Sequence, residues 1–332
     1  MTPRELFLAA VQGRPTPRPA AGSATSIVTR DLMAEVGWSF PQAHLDPEAM
    51  AGLAQAGAEV LGFDNVMPLF SVWHESAALG CPVEWGSSER MPDCGQPPWT
   101  LGQEMRLPAD LLLHPACQVP LQALSRLRRR CGDDAAVVGK VFGPWTLGYH
   151  LYGVEEFLVG TLLEPDAVRR SLACLKEVTV RFGLAQIDAG AEVLCLADHA
   201  TRDLCSPLAY RDFLQEIHQE LVERLPVPLV LHICGDTADR IPYIRQTGVA
   251  CFHYDAKVPV AQARALAGEE LALMGGTANI AVLRDGDEAA IRGDVAAKRQ
   301  AGIQIIGPEC AVPLDAPWLH LRALTTAVKA GS

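Results

Sequence analysis

The sequence predicts an α/β protein that folds as a (β/α)8 TIM barrel with an N-terminal helical extension. Short β-rich runs alternate with longer helical patterns along the chain, and about eight such runs are present. The runs are almost continuously apolar, as expected for parallel strands that are buried on both faces. A doubly wound sheet is the alternative, but no G-x-G-x-x-G motif follows an early strand. We expect a single domain spanning residues 1–332.

The predicted elements follow in chain order. Residues 1–50 are expected to be mostly helical and to precede the first full strand–helix unit. Pro165 at the start of one helix and Gly190 just beyond its end are typical of helix boundaries. Helices are predicted over 165–189, 207–225 and 286–301. Strands are predicted over 59–68, 135–144, 191–199, 228–236, 249–257, 271–279 and 303–311, and residues 23–29 could supply the eighth.

A long connection interrupts this alternation at residues 70–110. The segment is rich in Pro, Gly, Trp and Cys, and its pattern favours a loop that contains a small hairpin. Long loops in compact domains often form lids or walls of a functional site, so this segment is expected to border the site.

Composition and charge exclude several function classes. The net charge of -11 argues against nucleic-acid binding, which requires a basic face. No stretch approaches the roughly 20 apolar residues of a membrane helix, and the N-terminus does not read as a signal peptide. We therefore expect a cytoplasmic protein that binds neither nucleic acid nor membrane. The ten scattered cysteines are then expected to be buried free thiols or metal ligands.

One short stretch, VLHICGD at residues 230–236, carries the strongest chemical signal. His232 and Cys234 lie two residues apart at the end of an apolar strand, and the period of two directs both side chains to one face. Cys310 follows the last predicted strand, and the ends of the fifth and eighth strands of a barrel open on the same mouth. One imidazole and two thiolates suit zinc, and three protein ligands leave a fourth position for a substrate. The alternative is a pair of packing cysteines and a hydrogen-bonded strand histidine.

Several segments resemble the methylcobamide:coenzyme M methyltransferases of the uroporphyrinogen decarboxylase superfamily. The resemblance is carried by LVLHICGDTADRIPYIRQTGVACFHYDAK and GIQIIGPECAVPLDAP, and segments at the N-terminus and in the middle of the chain extend it over nearly all residues. It implies that His232, Cys234 and Cys310 are the ligands of a His-x-Cys…Cys zinc site. It also implies methyl transfer between a corrinoid and a thiol, in which zinc coordination makes the thiol a nucleophilic thiolate.

Further site residues follow from the strand ends and from the resemblance. The family has an acidic residue at Asp255, which is expected to occupy the open zinc position or to orient a ligand; pairing with Lys257 or an arginine is the alternative. Asp198 and His199 are expected in the pocket, although Asp198 could instead cap a helix. Weaker candidates for substrate binding, each equally compatible with a wall or core position, are Tyr149, His150, Asn279 and Glu75.

The chain lacks a D-x-H-x-x-G cobalamin motif, so the corrinoid (methylcobalamin) is expected to arrive on a separate partner protein. The direction of transfer stays open. The enzyme could methylate a thiol such as coenzyme M, or it could demethylate a methoxy, methylthio or methylamine compound and load a Co(I) corrinoid, with zinc as a Lewis acid.

Two other classes are disfavoured. A uroporphyrinogen decarboxylase-like decarboxylase would need no metal and an arginine-lined cavity, and residues 26–37 do not reproduce the arginine-rich motif of those enzymes. A zinc-storage or corrinoid-binding module is the non-enzymatic alternative, and storage sites are expected to have four closed ligands rather than three.

Overall fold

The structure, a computed structural model that describes residues 1–103 and 105–330, confirms the predicted (β/α)8 barrel. Eight parallel strands follow one another around it in the order β1-β8-β7-β6-β5-β4-β3-β2. The strands are β1 (Ala20–Ala21), β2 (Asn65–Val66), β3 (Ala136–Phe142), β4 (Val193–Ala197), β5 (Leu229–His232), β6 (Cys251–Tyr254), β7 (Ala272–Gly275) and β8 (Ile305–Ile306).

The seam between β1 and β2 is closed by side chains as much as by the backbone. The Asp64 N–H donates to the Ala21 carbonyl at 2.7 Å, and the Ala21 N–H donates to the Asp64 carboxylate at 2.8 Å. The Asn65 amide binds Ser23 in both directions, accepting from its N–H at 3.0 Å and donating to its carbonyl at 2.8 Å. These bonds take the place of a β-ladder between β1 and β2, and they close the barrel at this seam.

Helices surround the strands. The α-helices are α1 (Pro3–Val11), α2 (Arg30–Val36), α3 (Gln42–Leu45), α4 (Pro47–Glu59), α5 (His74–Ala78), α6 (Pro115–Cys131), α7 (Pro144–Tyr152), α8 (Val154–Leu163), α9 (Pro165–Asp188), α10 (Pro207–Tyr210), α11 (Glu216–Arg224), α12 (Ile241–Ile244), α13 (Val260–Ala267), α14 (Glu288–Gln300) and α15 (Trp318–Lys329). A 3-10 turn spans Leu111–Leu113, and π-helical turns span Arg211–Gln215 and Asn279–Arg284. None of the helices in the described ranges combines the length and the hydropathy needed to cross a bilayer.

The three helices for which the sequence predicted residue ranges are confirmed, with small shifts in their boundaries. The helix predicted over 165–189 is α9, and the one predicted over 286–301 is α14. The stretch predicted over 207–225 is helical, with a π turn between α10 and α11. Several helices begin at a residue whose side chain accepts hydrogen bonds from the free backbone N–H groups of the first turn. The Asp46 carboxylate, for example, accepts from two N–H groups at the start of α4.

The prediction of the first strand was wrong. Residues 23–29 form no strand, and β1 lies just before them, inside the segment expected to be helical and to precede the barrel. The reason is local hydrogen bonding. The Ser23 hydroxyl binds the Thr25 carbonyl at 3.0 Å and accepts from the Thr25 N–H at 3.2 Å, which turns the chain away from an extended ladder. The predicted strand 59–68 is likewise shortened, because α4 continues through Glu59.

The connection at residues 70–110 contains the hairpin that its composition favoured. Its two strands, Val83–Glu84 and Asp93–Cys94, are antiparallel. The Trp73 indole N–H donates to the Pro92 carbonyl at 3.1 Å and holds the hairpin against α5. The hairpin therefore sits beside the carboxyl ends of the barrel strands, since α5 follows β2.

The open edge of β3 is covered by helix side chains. Because β2 pairs only with Ala136 and Val137, the rest of β3 needs other partners on that side. The Gln186 amide from α9 accepts from the Lys140 N–H and donates to the Lys140 carbonyl, both at 2.8 Å. The Glu75 carboxylate from α5 accepts from the Phe142 N–H at 2.9 Å. All seven residues of β3 are buried, and its backbone is fixed on both sides.

Candidate metal and substrate site

The ends of β5 and β8 bring an imidazole and two thiols together at the barrel mouth. The His232 Nε2 lies 3.0 Å from the Cys234 Sγ and 3.5 Å from the Cys310 Sγ, and the two sulfur atoms are 3.1 Å apart. These are the only three His, Cys, Asp or Glu side chains in the described ranges whose ligand atoms converge as a group able to hold a metal ion. All ten cysteines are free thiols. We call these three residues the triad.

Hydrogen bonds behind the triad set the orientation of its histidine. The His232 Nδ1 lies 3.3 Å from the His253 carbonyl, and the His253 Nε2 lies 2.8 Å from the Pro308 carbonyl. A carbonyl only accepts, so His232 carries a proton on Nδ1, and Nε2 is the ring nitrogen that faces the two sulfurs. This is the arrangement in which an imidazole serves as a metal ligand.

The loop that carries Cys234 is fixed by Asp255 and by a glycine. Gly235 adopts a φ of 82°, and a Cβ there would lie 2.3 Å from the Thr201 hydroxyl. The Gly235 N–H donates to Asp255 Oδ2 at 2.8 Å, and the Lys257 N–H donates to Asp255 Oδ1 at 2.9 Å. Both Asp255 oxygens therefore hold backbone, and this carboxylate lies outside the triad.

The two thiols of the triad differ in the direction in which their pKa values are shifted. The hydrogen bond from Cys234 and the adjacent His232 imidazole lower the pKa of the Cys310 thiol below its usual range. The same hydrogen bond, together with burial, raises the pKa of the Cys234 thiol. The Cys310 sulfur is thus the first of the pair to become a thiolate.

The triad forms one wall of a cavity of about 210 Å³. Of the residues predicted for substrate binding, His150, Asp198 and His199 line it. Seven further residues line the cavity that were not predicted from the sequence. Lys140 is the most informative of them, because a charged residue inside the apolar run VVGKVF was a visible signal. The remaining lining residues are Thr25, Val72, Phe142, Thr146, Ala197 and Ala311.

Asp198 both lines the cavity and caps a helix, the two roles that the sequence left open. Its Oδ1 accepts from the Thr146 N–H at 2.8 Å, which caps the start of α7, and from the Thr146 hydroxyl at 3.2 Å. Its Oδ2 lies 3.0 Å from the His218 Nε2, and the His218 Nδ1 lies 2.9 Å from the Tyr210 hydroxyl. Asp198 therefore lines the cavity while both of its oxygens are already hydrogen-bonded to protein groups.

Three predicted substrate residues lie behind the cavity wall. Glu75 is fully buried on the edge of β3, and burial raises its pKa to about 7. The Tyr149 hydroxyl accepts from the Trp145 indole N–H. The Asn279 amide donates to the Ala311 carbonyl at 2.9 Å and so supports the loop that carries Cys310. None of the three is among the residues that line the cavity.

His150, by contrast, faces the cavity as a neutral side chain. Its Nδ1 lies 2.7 Å from the Ser76 hydroxyl, and its ring packs on Trp73 with the centroids 4.1 Å apart. Burial lowers the pKa of His150 to about 3. The ring therefore carries no charge at neutral pH, and it closes the side of the cavity next to the hairpin.

The fold and the site together define a (β/α)8-barrel protein with an imidazole–dithiol triad at the carboxyl ends of its strands, the end at which such barrels place their active sites. The family model described as uroporphyrinogen decarboxylase (URO-D) matches residues 2–331. The chain belongs to this family.

Individual relatives within the family are methyltransferases. The chain is 32% identical to a methylated-thiol--coenzyme M methyltransferase of Methanosarcina mazei, over 99% of this chain and 89% of that protein. It is 29% identical to a methylcobamide:CoM methyltransferase of Methanosarcina barkeri, over 97% of this chain and 96% of that protein. A solved methyltransferase from Methanosarcina mazei superimposes with a TM-score of 0.95 at 28% identity, covering 99% of both chains.

Proposed function

We propose that this protein is a zinc-dependent methyltransferase that moves a methyl group between a methyl-Co(III) corrinoid, carried on a separate corrinoid protein, and a small thiol such as coenzyme M. The observation that carries the proposal is the triad, whose imidazole nitrogen and two sulfurs lie within 4.8 Å of one another beside a cavity. The names of the full-length relatives support the same reaction class.

The donor set fits zinc. One neutral imidazole and two thiolates are ligands that zinc prefers, and three protein ligands are typical of catalytic rather than structural sites. The His253 carbonyl holds His232 Nδ1, so that Nε2 points at the sulfurs of Cys234 and Cys310. When bound here, zinc would lower the pKa of an incoming thiol so that the thiolate forms at neutral pH.

The residues around the triad position the thiol and exclude water from it. The apolar side chains of Val72 and Phe142 line the cavity, and the neutral ring of His150 adds to this wall. A cavity of about 210 Å³ suits a small thiol and is too small for a corrinoid ring. The corrinoid would therefore be presented at the barrel mouth by its carrier protein.

The relative that bears the name methylated-thiol--coenzyme M methyltransferase favours one variant of the reverse direction, in which a methylthio compound is demethylated and a Co(I) corrinoid is loaded. The decarboxylase alternative has less support. It requires a cavity lined by arginines, and the lining residues of the described cavity include none.

The test combines zinc content with methyl transfer. Wild type, Cys310→Ser and a control, Cys174→Ser on the outer helix α9, would be analysed for zinc by mass spectrometry. Each would then be mixed with methylcobalamin and coenzyme M while the cobalt spectrum is followed. We expect about one zinc per chain and thiol-dependent demethylation in wild type and control, and loss of both in Cys310→Ser.

Other outcomes have defined meanings. Zinc without transfer to any thiol would move the proposal to the corrinoid-loading direction, to be tested with methylthio and methoxy compounds. Wild-type protein that takes up no zinc would contradict the proposal in both directions.

A further inference from the structure

Lys140 is a buried cation on the wall of the cavity. It lies in β3, two residues before Phe142, and only 4% of it is exposed. The register from Phe142 through Ala197 to His232 places Phe142 level with the triad histidine. Lys140 is then about 7 Å deeper in the barrel, at 3.3 Å per residue, and its side chain rises toward the triad along the cavity.

This lysine differs from the other buried cations of the described chain. Arg240 donates to the carbonyls of Ala200 and Cys205 and pairs with Asp239. Lys298 pairs with Asp294. For the Lys140 ammonium, in contrast, the described ranges provide no carboxylate within 4.0 Å. Its ammonium lies over the Phe142 ring, whose centroid is 5.0 Å away.

The acids nearest to the cavity do not supply the missing partner. Both Asp198 oxygens are occupied by Thr146 and His218. Glu75 accepts from the Phe142 N–H with one oxygen, and its other oxygen has no hydrogen-bond partner. Burial raises its pKa to about 7, and Lys140 acts on it electrostatically but forms no ion pair with it within 4.0 Å. A buried charge without a partner is costly, so its retention inside the barrel requires a compensating role.

We propose that Lys140 binds the anionic end of the substrate, a sulfonate or carboxylate, while the sulfur of the same molecule lies at the triad. The inference rests on the proposed function and assigns the residue that recognises the anionic end of a short thiol or thioether. The fixed β3 backbone, held at Lys140 by both hydrogen bonds of the Gln186 amide, makes this cation a rigid determinant of specificity.

The first measurement is binding without chemistry. Ethanesulfonate and propionate carry the anion but no sulfur nucleophile, and isothermal titration calorimetry would report their affinity for wild type, Lys140→Met and Lys176→Met. The last variant removes a lysine from the outer helix α9 and serves as the matched control. We expect at least about a tenfold loss of affinity in Lys140→Met and none in the control.

The second measurement is discrimination between thiols. With methylcobalamin as donor, kcat/KM would be compared for 2-mercaptoethanesulfonate and the neutral 2-mercaptoethanol. Wild type is expected to prefer the anionic thiol, and Lys140→Met should lower kcat/KM much more for the anionic thiol than for the neutral one, so that most of the preference is lost. Thermal unfolding of Lys140→Met should not be lowered, because the variant replaces an unpaired buried charge by an apolar side chain.

The outcomes separate this inference from the proposed function. If wild type methylates no thiol but binds ethanesulfonate through Lys140, the anion site stands and the thiol-methylating direction of the proposed function fails. If wild type methylates both thiols and Lys140→Met keeps the anionic preference, the reaction stands and the role of Lys140 is overturned. An equal fall with both thiols would also overturn it, because that result indicates a structural lysine.

Discussion

The two ends of this barrel treat buried polar groups in opposite ways. At the amino-terminal end, the buried Asp64 carboxylate is bound by both Arg18 guanidinium nitrogens at 2.8 and 3.0 Å, and Lys329 lies 3.5 Å away. At the carboxyl-terminal end, the triad sulfurs lie against each other and His232, with the Ala311 backbone as a further partner of Cys310, and Lys140 has no carboxylate within 4.0 Å in the described chain. A buried cluster whose partners are all protein groups stabilises the fold, whereas one that awaits a partner is built to receive a ligand.

Removing a triad ligand should have the largest effect on function and little on folding. His232→Ala is expected to lose zinc and to slow methyl transfer by about a thousandfold or more, because the metal contributes several kcal/mol. Zinc analysis and cobalt spectroscopy would measure this. A control, His320→Ala, removes a histidine that binds the Leu283 carbonyl away from the cavity and should behave as wild type. Full activity of zinc-free His232→Ala would contradict the assignment of the carboxyl-terminal end of the barrel to zinc-dependent function.

Removing Asp64 should have the converse effect. Asp64→Ala leaves the partly buried Arg18 guanidinium and the buried Ala21 N–H without their acceptor, and should cost about 3 kcal/mol of unfolding free energy. Urea unfolding would measure the loss, and Glu84→Ala in an exposed ion pair should change stability little. Zinc content per folded molecule should be unchanged. A zinc-free but stable Asp64→Ala would contradict the assignment of this end to stability.

Glu75, which lies behind the cavity wall beside β3, should make the stability of the fold depend on pH. Burial raises its pKa from 4.5 to about 7, so the folded state holds a proton that the unfolded state releases. This contribution to stability is fully present below about pH 4.5 and is lost as the pH rises through about 7, with an upper limit of roughly 3 kcal/mol. Glu75→Gln should flatten this part of the pH–stability curve, measured by urea unfolding from pH 5 to 8. An unchanged slope would mean that Glu75 is ionised in the folded protein.

Asp255 should have the smallest effect, because it acts through the backbone. Asp255→Ala frees the Gly235 and Lys257 N–H groups and loosens the loop that carries Cys234. Zinc affinity, measured by competition with a chromophoric chelator, should fall by about tenfold. Asp255→Asn keeps one acceptor oxygen and should lie between Ala and wild type. Complete loss of zinc in Asp255→Asn would instead indicate a direct metal ligand.

The functional end of the barrel was the easier end to predict from sequence. The period of two within β5 and the position of Cys310 after β8 are local signals, and the parallel barrel brings such strand ends together without further information. The donor set of one imidazole and two thiols predicted zinc, and the family resemblance strengthened that prediction. Lys140 was missed because apolar runs were read as core, although a lysine inside such a run was itself the signal.

The seam could not be predicted because its information is not local. β1 consists of Ala20 and Ala21, which carry no β-branched pattern, and its pairing depends on Asp64 and Asn65 more than forty residues later. The hydrogen bond by which Asp198 caps α7 could not be predicted for the same reason, because its partner Thr146 lies 52 residues earlier in the sequence. Contacts of this kind follow from the closed barrel and not from any one segment.

The most direct test of the central claim, that the triad is a metal site open to a sulfur ligand, is X-ray absorption at the zinc edge. Zinc-loaded protein should show two sulfur ligands at about 2.3 Å and nitrogen or oxygen ligands at about 2.0–2.1 Å, and 2-mercaptoethanesulfonate should add a third sulfur. A spectrum with only nitrogen and oxygen ligands, or one with two sulfurs that the thiol leaves unchanged, would contradict it.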